Sequence, residues 1–197
     1  MRHRGTVPLK TDRLVLDRLT AADAEEMFRN WAGDEAVARF MRWPAHKDSL
    51  ETFQLLAGWE CLYSSADYYN WGIRRWDGAL MGTIGFVLGE EQKPEAWRAP
   101  GLDCSAGVWE PGYCLGRAFW GRGYATEALA AVRDFWFDEV GGVWLACCHA
   151  AENPASGRVM EKAGWRYDHD AVYHKADGTP MACRAYYLKK EERPQGL

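Results

Sequence analysis

The 197-residue sequence predicts one α/β domain, in which helices pack against a sheet containing antiparallel hairpins. Three observations predict this class: a length that suits one core, a change from helical to strand-like apolar spacing at Tyr69, and a strand that runs through a glycine turn into a helix. We therefore expect a single domain over residues 1–197, with residues 1–10 and 190–197 loosely ordered.

Helices are predicted to dominate the first third of the chain, after a first strand in Asp12–Leu19. Capping residues at Thr20, Asp34 and Asp48 indicate the starts of three helices. Apolar residues at helical spacing predict that the third helix buries one side, made of Leu50, Phe53, Leu56 and Trp59.

Strands follow. Asn70–Trp76 and Leu80–Leu88 flank Asp77-Gly78, which is typical of a hairpin with a tight turn. Gly89–Ser105 lacks periodicity and is predicted to be a long connecting loop. A closing hairpin is predicted within Trp165–Lys189.

The region between the two hairpins alternates strand and helix twice. A strand at Tyr113–Arg117 leads into a glycine turn and a helix, and a second strand and helix occupy Val143–Gly164. Pro111 and Gly112, just before the first of these strands, predict a bulge or an irregular edge.

Composition and charge exclude several classes of protein. The net charge of −4 leaves no dense basic face for nucleic acid, and no apolar stretch approaches the length needed to cross a bilayer. The basic start at Arg2 lacks the apolar segment of a signal peptide, so we expect a cytoplasmic protein. Six cysteines show no zinc spacing, so we expect reduced thiols and no metal.

Tryptophan is unusually abundant, at 11 residues. Each one is best interpreted as a core residue or a cleft wall. As an alternative, a set in the N-terminal half could line an aromatic acceptor pocket. That set is Trp31, Trp43, Trp59, Trp71 and Trp76.

The glycine turn Trp120–Ala125 is the strongest chemical signal. A turn that leads from a strand into a helix presents backbone N–H groups at the positive end of the helix dipole, which is a site for phosphate. The dinucleotide fingerprint and the Gly-Lys-Ser/Thr loop are both missing. The plainer alternative is that the glycines only let the helix pack closely.

These residues resemble the GNAT superfamily of acyl-CoA-dependent N-acetyltransferases, whose cofactor turn follows Gln/Arg-x-x-Gly-x-Gly/Ala. Gly123 and Ala125 fit this pattern, while Trp120 replaces the Gln or Arg. Phe119–Ala128, Asn153–Ser156, Glu161–Trp165 and Thr11–Leu14 together are similar to the ribosomal-protein N-acetyltransferase (Rim-type) branch.

The resemblance implies a GNAT-like fold: a mixed, mostly antiparallel sheet with a splayed central strand and flanking helices. It also implies acetyl-CoA as co-substrate, with its pyrophosphate on the amides of the glycine turn and its pantetheine arm along the splayed strand. The implied cofactor-binding residues are Tyr113, Leu115, Arg122, Gly123, Tyr124, Ala125, Thr126, Asn153 and Ser156.

Proton transfer must accompany amine attack. Glu110 is the first candidate for the base, with a solvated carboxylate as the alternative reading, and His149 is a second candidate that could instead be a core residue. The N–H of Tyr113 is expected to polarise the acetyl carbonyl. Ser156 is expected to hydrogen-bond the coenzyme sulfur or to relay a proton.

The sequence thus predicts acetyl transfer to a primary amine, a protein N-terminus or a small molecule, by direct attack in a ternary complex. A ping-pong route through Cys114 is an alternative mechanism. A non-catalytic acyl-CoA sensor and a nucleotide-binding protein are alternative functions. The expected partners are acetyl-CoA and an amine acceptor, with a second copy of the chain as a further candidate partner.

Overall fold

The computed structural model describes residues 1–89 and 94–194. Eight strands occur in this part of the chain: β1 (Leu9–Lys10), β2 (Leu14–Asp17), β3 (Tyr69–Arg75), β4 (Leu80–Leu88), β5 (Trp109–Leu115), β6 (Trp144–Ala150), β7 (Arg166–His174) and β8 (Pro180–Lys189). The α-helices here are α1 (Ala24–Met27), α2 (Glu35–Ala38), α3 (Ser49–Leu62), α4 (Tyr124–Phe135) and α5 (Pro154–Lys162). Residues 90–93 of the predicted loop and residues 195–197 of the C-terminal segment lie outside the described residues.

The strands form two sheets. The first has the order β1-β2-β3-β4-β5 and the second the order β6-β8-β7, and every pairing is antiparallel. Strands β5 and β6 lie side by side without a ladder, joined by the Cys147 thiol, which donates to the Pro111 carbonyl at 3.3 Å. The predicted α/β class is therefore confirmed, with a sheet that splits next to β5.

The predicted helix starts are confirmed. The Asp34 carboxylate accepts the Ala36 N–H at 2.9 Å, and the Asp48 carboxylate accepts the Glu51 N–H at 2.9 Å. Each bond satisfies a backbone donor that the first helical turn leaves without a partner.

The predicted apolar side of α3 is wrong in part. Leu50 and Phe53 are 61% and 47% exposed, whereas Leu56 is fully buried. Thr52 takes an inward position because its hydroxyl lies 2.7 Å from Nδ1 of His46, which satisfies a polar group in the interior. The inward face of the helix is consequently rotated away from the one that apolar spacing indicates.

The predicted bulge before β5 is also wrong. The strand begins at Trp109, and its pairing with β4 runs without a shift to Leu115. Pro111 is tolerated because it occupies a pair that makes no hydrogen bonds across to β4, so its missing N–H costs no ladder bond. The expectation of an edge holds, since β5 is the last strand of the first sheet.

The main core lies between the first sheet and α4. Trp71 and Trp136 are fully or almost fully buried there, with Phe86 4.8 Å from Trp136 between ring centroids. The N-terminal residues are attached to this core: the Arg2 N–H donates to the Val140 carbonyl at 2.7 Å, and the ring of His3 bonds the Tyr69 hydroxyl at 3.0 Å.

The connection before β5 packs on the second sheet. The ring centroid of Trp97 lies 5.3 Å from that of Trp144. The N–H groups of Arg98 and Ala99 both donate to the buried Asp168 carboxylate, at 2.9 and 2.8 Å. None of the described helices is both long and apolar enough to cross a membrane.

Candidate active site

The glycine turn places three backbone donors at the start of α4. Gly121 and Gly123 adopt φ of +73° and +80°, a left-handed conformation that side chains rarely adopt. The first intrahelical bond runs from the Glu127 N–H to the Gly123 carbonyl at 3.1 Å. The amides of residues 124–126 therefore have no intrahelical acceptor and point out of the helix start, which favours a bound anion.

The register of β5 decides which of its amides face the split between the sheets. The Gly116 N–H donates to the Met81 carbonyl at 2.9 Å, and these residues are directly opposite on the two strands. Hydrogen-bonded pairs alternate in an antiparallel ladder, so Cys114 is bonded to β4. The N–H groups of Tyr113 and Leu115 consequently face away from β4.

Trp120 stands where the family pattern has Gln or Arg. Its indole N–H donates to the Leu115 carbonyl at 2.7 Å, so it closes the turn onto the strand. The side chain is 48% exposed, and one of its faces lines the adjoining cleft.

A cleft of about 300 Å³ lies between the glycine turn, the end of β5 and α5. Two basic residues of α5 that the sequence analysis missed, Arg158 and Lys162, line it. Together with Ala155 and Val159 they follow the spacing of one helical face. This periodicity is visible in the sequence and could have predicted that both basic residues face the cleft.

All but one of the predicted cofactor-binding residues line this cleft. They are Tyr113, Leu115, Gly123, Tyr124, Ala125, Thr126, Asn153 and Ser156. The exception is Arg122, whose side chain is exposed and whose carbonyl accepts a hydrogen bond from Arg13 at 3.1 Å.

Tyr113 and Ser156 form a hydroxyl pair at the inner end of the cleft. Their oxygens are 2.9 Å apart, and the phenol also donates to the Ser156 carbonyl at 3.1 Å. Burial raises the pKa of Tyr113 well above its usual value, so the phenol stays protonated. Asn153 accepts the Ser156 N–H at 3.3 Å as the cap of α5.

Glu110 is buried on β5, with 5% of its surface exposed, so the reading of a solvated carboxylate is excluded. The Tyr173 hydroxyl donates to its Oε1 at 2.5 Å. Tyr173 lies on β7, 63 positions away, and no spacing in the sequence connects the two residues. The sequence analysis missed this residue.

A second and larger cavity, of about 540 Å³, opens on the Glu110 side of β5. The two cavities share several lining residues. These are Phe40, Met41, Tyr113, Cys114, Asn153 and Ser156. The Glu110 carboxylate therefore lines the larger chamber, and the glycine turn at Gly123 lines the smaller one. The two chambers meet at the Tyr113–Ser156 hydroxyl pair.

The five tryptophans considered for an acceptor pocket separate into three groups. Trp43 and Trp59 line the larger cavity. Trp31 and Trp71 are fully buried in core clusters. Trp76 is 55% exposed, with its indole N–H on the Asp12 carbonyl at 2.9 Å.

His149 also lines the larger cavity and is 6% exposed. Its Nδ1 donates to the Ala150 carbonyl at 2.8 Å, which leaves Nε2 as the acceptor in the neutral ring. Nε2 makes no hydrogen bond to the described residues, and it lies against Gly157, where an added Cβ would be 2.7 Å away.

Cys114, the alternative nucleophile, is 6% exposed, and burial raises the pKa of its thiol to about 12. Within the described ranges, no cluster of three or more metal-ligand side chains is present.

Comparison with known proteins identifies the family of this chain. The family model described as an acetyltransferase (GNAT) domain matches residues 13–166. The chain belongs to the GNAT family of acetyltransferases. Proteins of this family use acetyl-CoA as the acetyl donor, so the chain is an acetyltransferase enzyme.

Individual GNAT relatives cover nearly the whole chain. The uncharacterized N-acetyltransferase YoaA of Bacillus subtilis is 28% identical over 92% of this chain and 96% of its own. A GNAT acetyltransferase structure from Bacillus anthracis has a TM-score of 0.73 at 20% identity, covering 94% of this chain and 100% of that one.

Structures of similar fold also include a putative ribosomal-protein-serine acetyltransferase from Vibrio cholerae. Its TM-score is 0.72 at 20% identity, with 94% of this chain and 99% of that one covered. At this identity the similarity shows the fold. The predicted membership of the GNAT superfamily is confirmed.

Proposed function

We propose that this enzyme transfers an acetyl group from acetyl-CoA to a primary amine, a small molecule or a protein N-terminus, by direct attack in a ternary complex. The observation that carries the proposal is the meeting of the two chambers at Tyr113 and Ser156. The smaller chamber is lined by the glycine turn, whose amides suit a phosphate, and the larger chamber is lined by the buried carboxylate of Glu110.

The residues of the smaller chamber fit acetyl-CoA. The amides of residues 124–126 would hold the pyrophosphate, and Arg158 and Lys162 add positive charge across the cleft. The outward amide of Tyr113 is available for the thioester, and the outward amide of Leu115 is available for an amide group of the pantetheine arm. When bound, the coenzyme supplies an acetyl group activated as a thioester.

The residues where the two chambers meet have separate roles in the transfer of the acetyl group. Glu110 takes the proton that the attacking ammonium must lose, because it is the buried carboxylate of the larger chamber. The Tyr113 N–H donates to the acetyl carbonyl oxygen as negative charge develops there. The Tyr113–Ser156 hydroxyl pair passes a proton to the sulfur as the carbon–sulfur bond breaks, and the second proton that the nitrogen loses after attack restores the pair, so that no phenolate is left behind.

Direct attack is favoured over a covalent cysteine route. A thiol with a pKa near 12 is almost entirely protonated at neutral pH and is a weak nucleophile. Cys114 would also need a base beside it, and its side chain belongs to a cluster of buried apolar residues that includes Leu19 and Trp31.

Glu110→Gln tests the proposal. We expect turnover of an amine, followed as thiol release and product mass, to fall about a hundredfold or more, while acetyl-CoA still raises Tm as in the parent enzyme. Glu152→Gln is the matched control, since Glu152 is an exposed residue outside both chambers. Unchanged turnover in Glu110→Gln would remove Glu110 as the base. Binding of acetyl-CoA without acetylation of any amine or peptide would support the non-catalytic sensor instead.

A further inference from the structure

Trp120 is the large apolar side chain that is most exposed to solvent among the described residues of the smaller chamber. It is 48% exposed, whereas the other apolar side chains of this wall, such as Leu115 and Tyr124, are buried or partly buried. Half of an indole ring in water forfeits free energy that its burial would contribute. The exposed part of the ring therefore offers an apolar contact to a ligand in this chamber.

The Trp120 ring is held in place although it is half exposed. Its indole N–H donates to the Leu115 carbonyl at 2.7 Å, and its backbone N–H donates to the Arg117 carbonyl at 3.2 Å. The ring cannot turn away from the end of β5 without breaking the first of these bonds. A ligand that packs on the ring would therefore have little side-chain ordering to offset.

The Leu115 carbonyl shows on which side of β5 the ring lies. Cys114 is the residue that is hydrogen-bonded to β4, so the N–H and the carbonyl of Leu115 both point away from β4. The Trp120 indole binds that carbonyl, and the N–H of the same residue is available for the pantetheine arm. The ring and the arm consequently approach β5 from the same side.

The path of the arm also leads past Trp120. The arm must run from the Leu115 N–H to the amides of residues 124–126, and Trp120 lies between these two points in the chain and lines the cleft that joins them. Ala155 and Val159 of α5 line the same cleft. This stretch of the arm includes a carbon that bears two methyl groups, the most apolar part of the coenzyme. An indole ring and two aliphatic side chains suit such a group.

We infer that Trp120 is a binding residue for the donor: its indole ring packs on the dimethyl-bearing stretch of the pantetheine arm, between the Leu115 amide and the pyrophosphate. The hydrogen bond to the Leu115 carbonyl fixes the ring at that place. The inference rests on the proposed function and assigns to Trp120 a contact with the arm, separate from the phosphate contacts of the glycine turn.

Two fragments of coenzyme A separate these contacts. 4′-Phosphopantetheine contains the arm with one phosphate, and 3′-phosphoadenosine 5′-diphosphate contains the nucleotide and pyrophosphate without the arm. In Trp120→Ala we expect calorimetry to show that Kd rises about tenfold for coenzyme A and for 4′-phosphopantetheine, and less than about twofold for the nucleotide fragment. In turnover, KM for acetyl-CoA should rise while kcat changes little.

Trp120→Phe keeps an aromatic ring and removes the indole N–H. We expect Kd for 4′-phosphopantetheine to stay within about threefold of the parent value, because most of the apolar contact remains. Trp76→Ala is the matched control. Trp76 is 55% exposed, its indole N–H donates to the Asp12 carbonyl at 2.9 Å, and it lines neither chamber. The control should leave all three Kd values unchanged.

The outcomes separate this inference from the proposed function. Equal rises in Kd for both fragments in Trp120→Ala would place the effect in the glycine turn and overturn the inference. Unchanged Kd for 4′-phosphopantetheine, or no binding of this fragment to the parent enzyme, would also overturn it. These results leave the acetyltransferase proposal standing if the parent acetylates an amine. The expected Kd pattern without acetylation of any amine would contradict the proposed function and keep the contact between Trp120 and the arm.

Discussion

Arg13 and Glu127 join the start of β2 to the first turn of α4. The Arg13 Nε donates to Glu127 Oε2 at 2.6 Å, and the Arg13 backbone N–H donates to Oε1 at 3.0 Å. The same guanidinium donates to the Arg122 carbonyl at 3.1 Å and lies 4.7 Å from the centroid of the Tyr124 ring. This pair therefore holds both ends of the glycine turn on which the proposed pyrophosphate site depends.

Arg13→Gln is expected to raise KM for acetyl-CoA about threefold to tenfold with little change in kcat. The amides of the turn would lose their support while the groups at the junction remain in place. Steady-state kinetics with acetyl-CoA as the varied substrate measure this split. Arg193→Gln is the control, because Arg193 bonds Asp138 at 2.7 Å beyond the other end of the helix. An equal rise in KM for both variants would contradict a local role for Arg13.

Tyr173→Phe is expected to lower kcat about tenfold and to move the acidic limb of the pH–rate profile to higher pH. Glu110 would lose a hydroxyl donor that favours its ionised form. The measurement is kcat against pH with saturating acetyl-CoA. Tyr167→Phe is the control, since Tyr167 is 49% exposed on the same strand. If kcat fell while the acidic limb stayed at the same pH, the loss would come from altered packing around Tyr173 and not from the missing hydrogen bond to Glu110.

Ser156→Ala and Tyr113→Phe test the hydroxyl pair. Each is expected to lower kcat about tenfold while KM for acetyl-CoA changes little, and the double variant should be no slower than the worse single one. Such non-additivity follows if the two hydroxyls act as one relay across 2.9 Å. Independent, multiplying losses would show that the two groups act separately.

Tyr63 gives a prediction for stability at alkaline pH. Its side chain is 6% exposed and its oxygen accepts the Leu19 N–H at 3.1 Å, and burial raises its pKa from 10.0 to about 12. Between these values the unfolded chain loses a proton that the folded chain keeps, so the free energy of unfolding falls as pH rises from about 10 to about 12.

Urea unfolding at a series of pH values measures this contribution. Allowing for solvent screening, we expect Tyr63 to account for about 1–2 kcal/mol of the alkaline loss, so that Tyr63→Phe shows a shallower decline than the parent. The variant is also expected to be less stable at pH 8, where the Leu19 N–H has lost its acceptor. Parallel pH curves for parent and variant would contradict the shifted titration.

Local signals in the sequence were sufficient for the glycine turn and for the starts of α3 and α5. Each depends on residues within a few positions of one another, such as Asn153 and Ser156, whose capping bond spans three residues. Helical or strand-like spacing also gave the order of the elements, because it reflects which side of an element is buried.

Long-range contacts could not be predicted in this way. Tyr173 reaches Glu110 because β7 pairs with β8 and β8 pairs with β6, a topology that no local spacing encodes. Leu50 and Phe53 were misplaced for the same reason: the bond between His46 and Thr52 sets the inward face of α3. The separation of the tryptophans into core and chamber likewise depends on tertiary packing.

A crystal structure of the enzyme with coenzyme A tests the central claim most directly. The account predicts that pyrophosphate oxygens accept hydrogen bonds from the amides of residues 124–126 and that the sulfur lies beside the Ser156 hydroxyl. Coenzyme A bound at any other place, with those three amides facing only water, would contradict it.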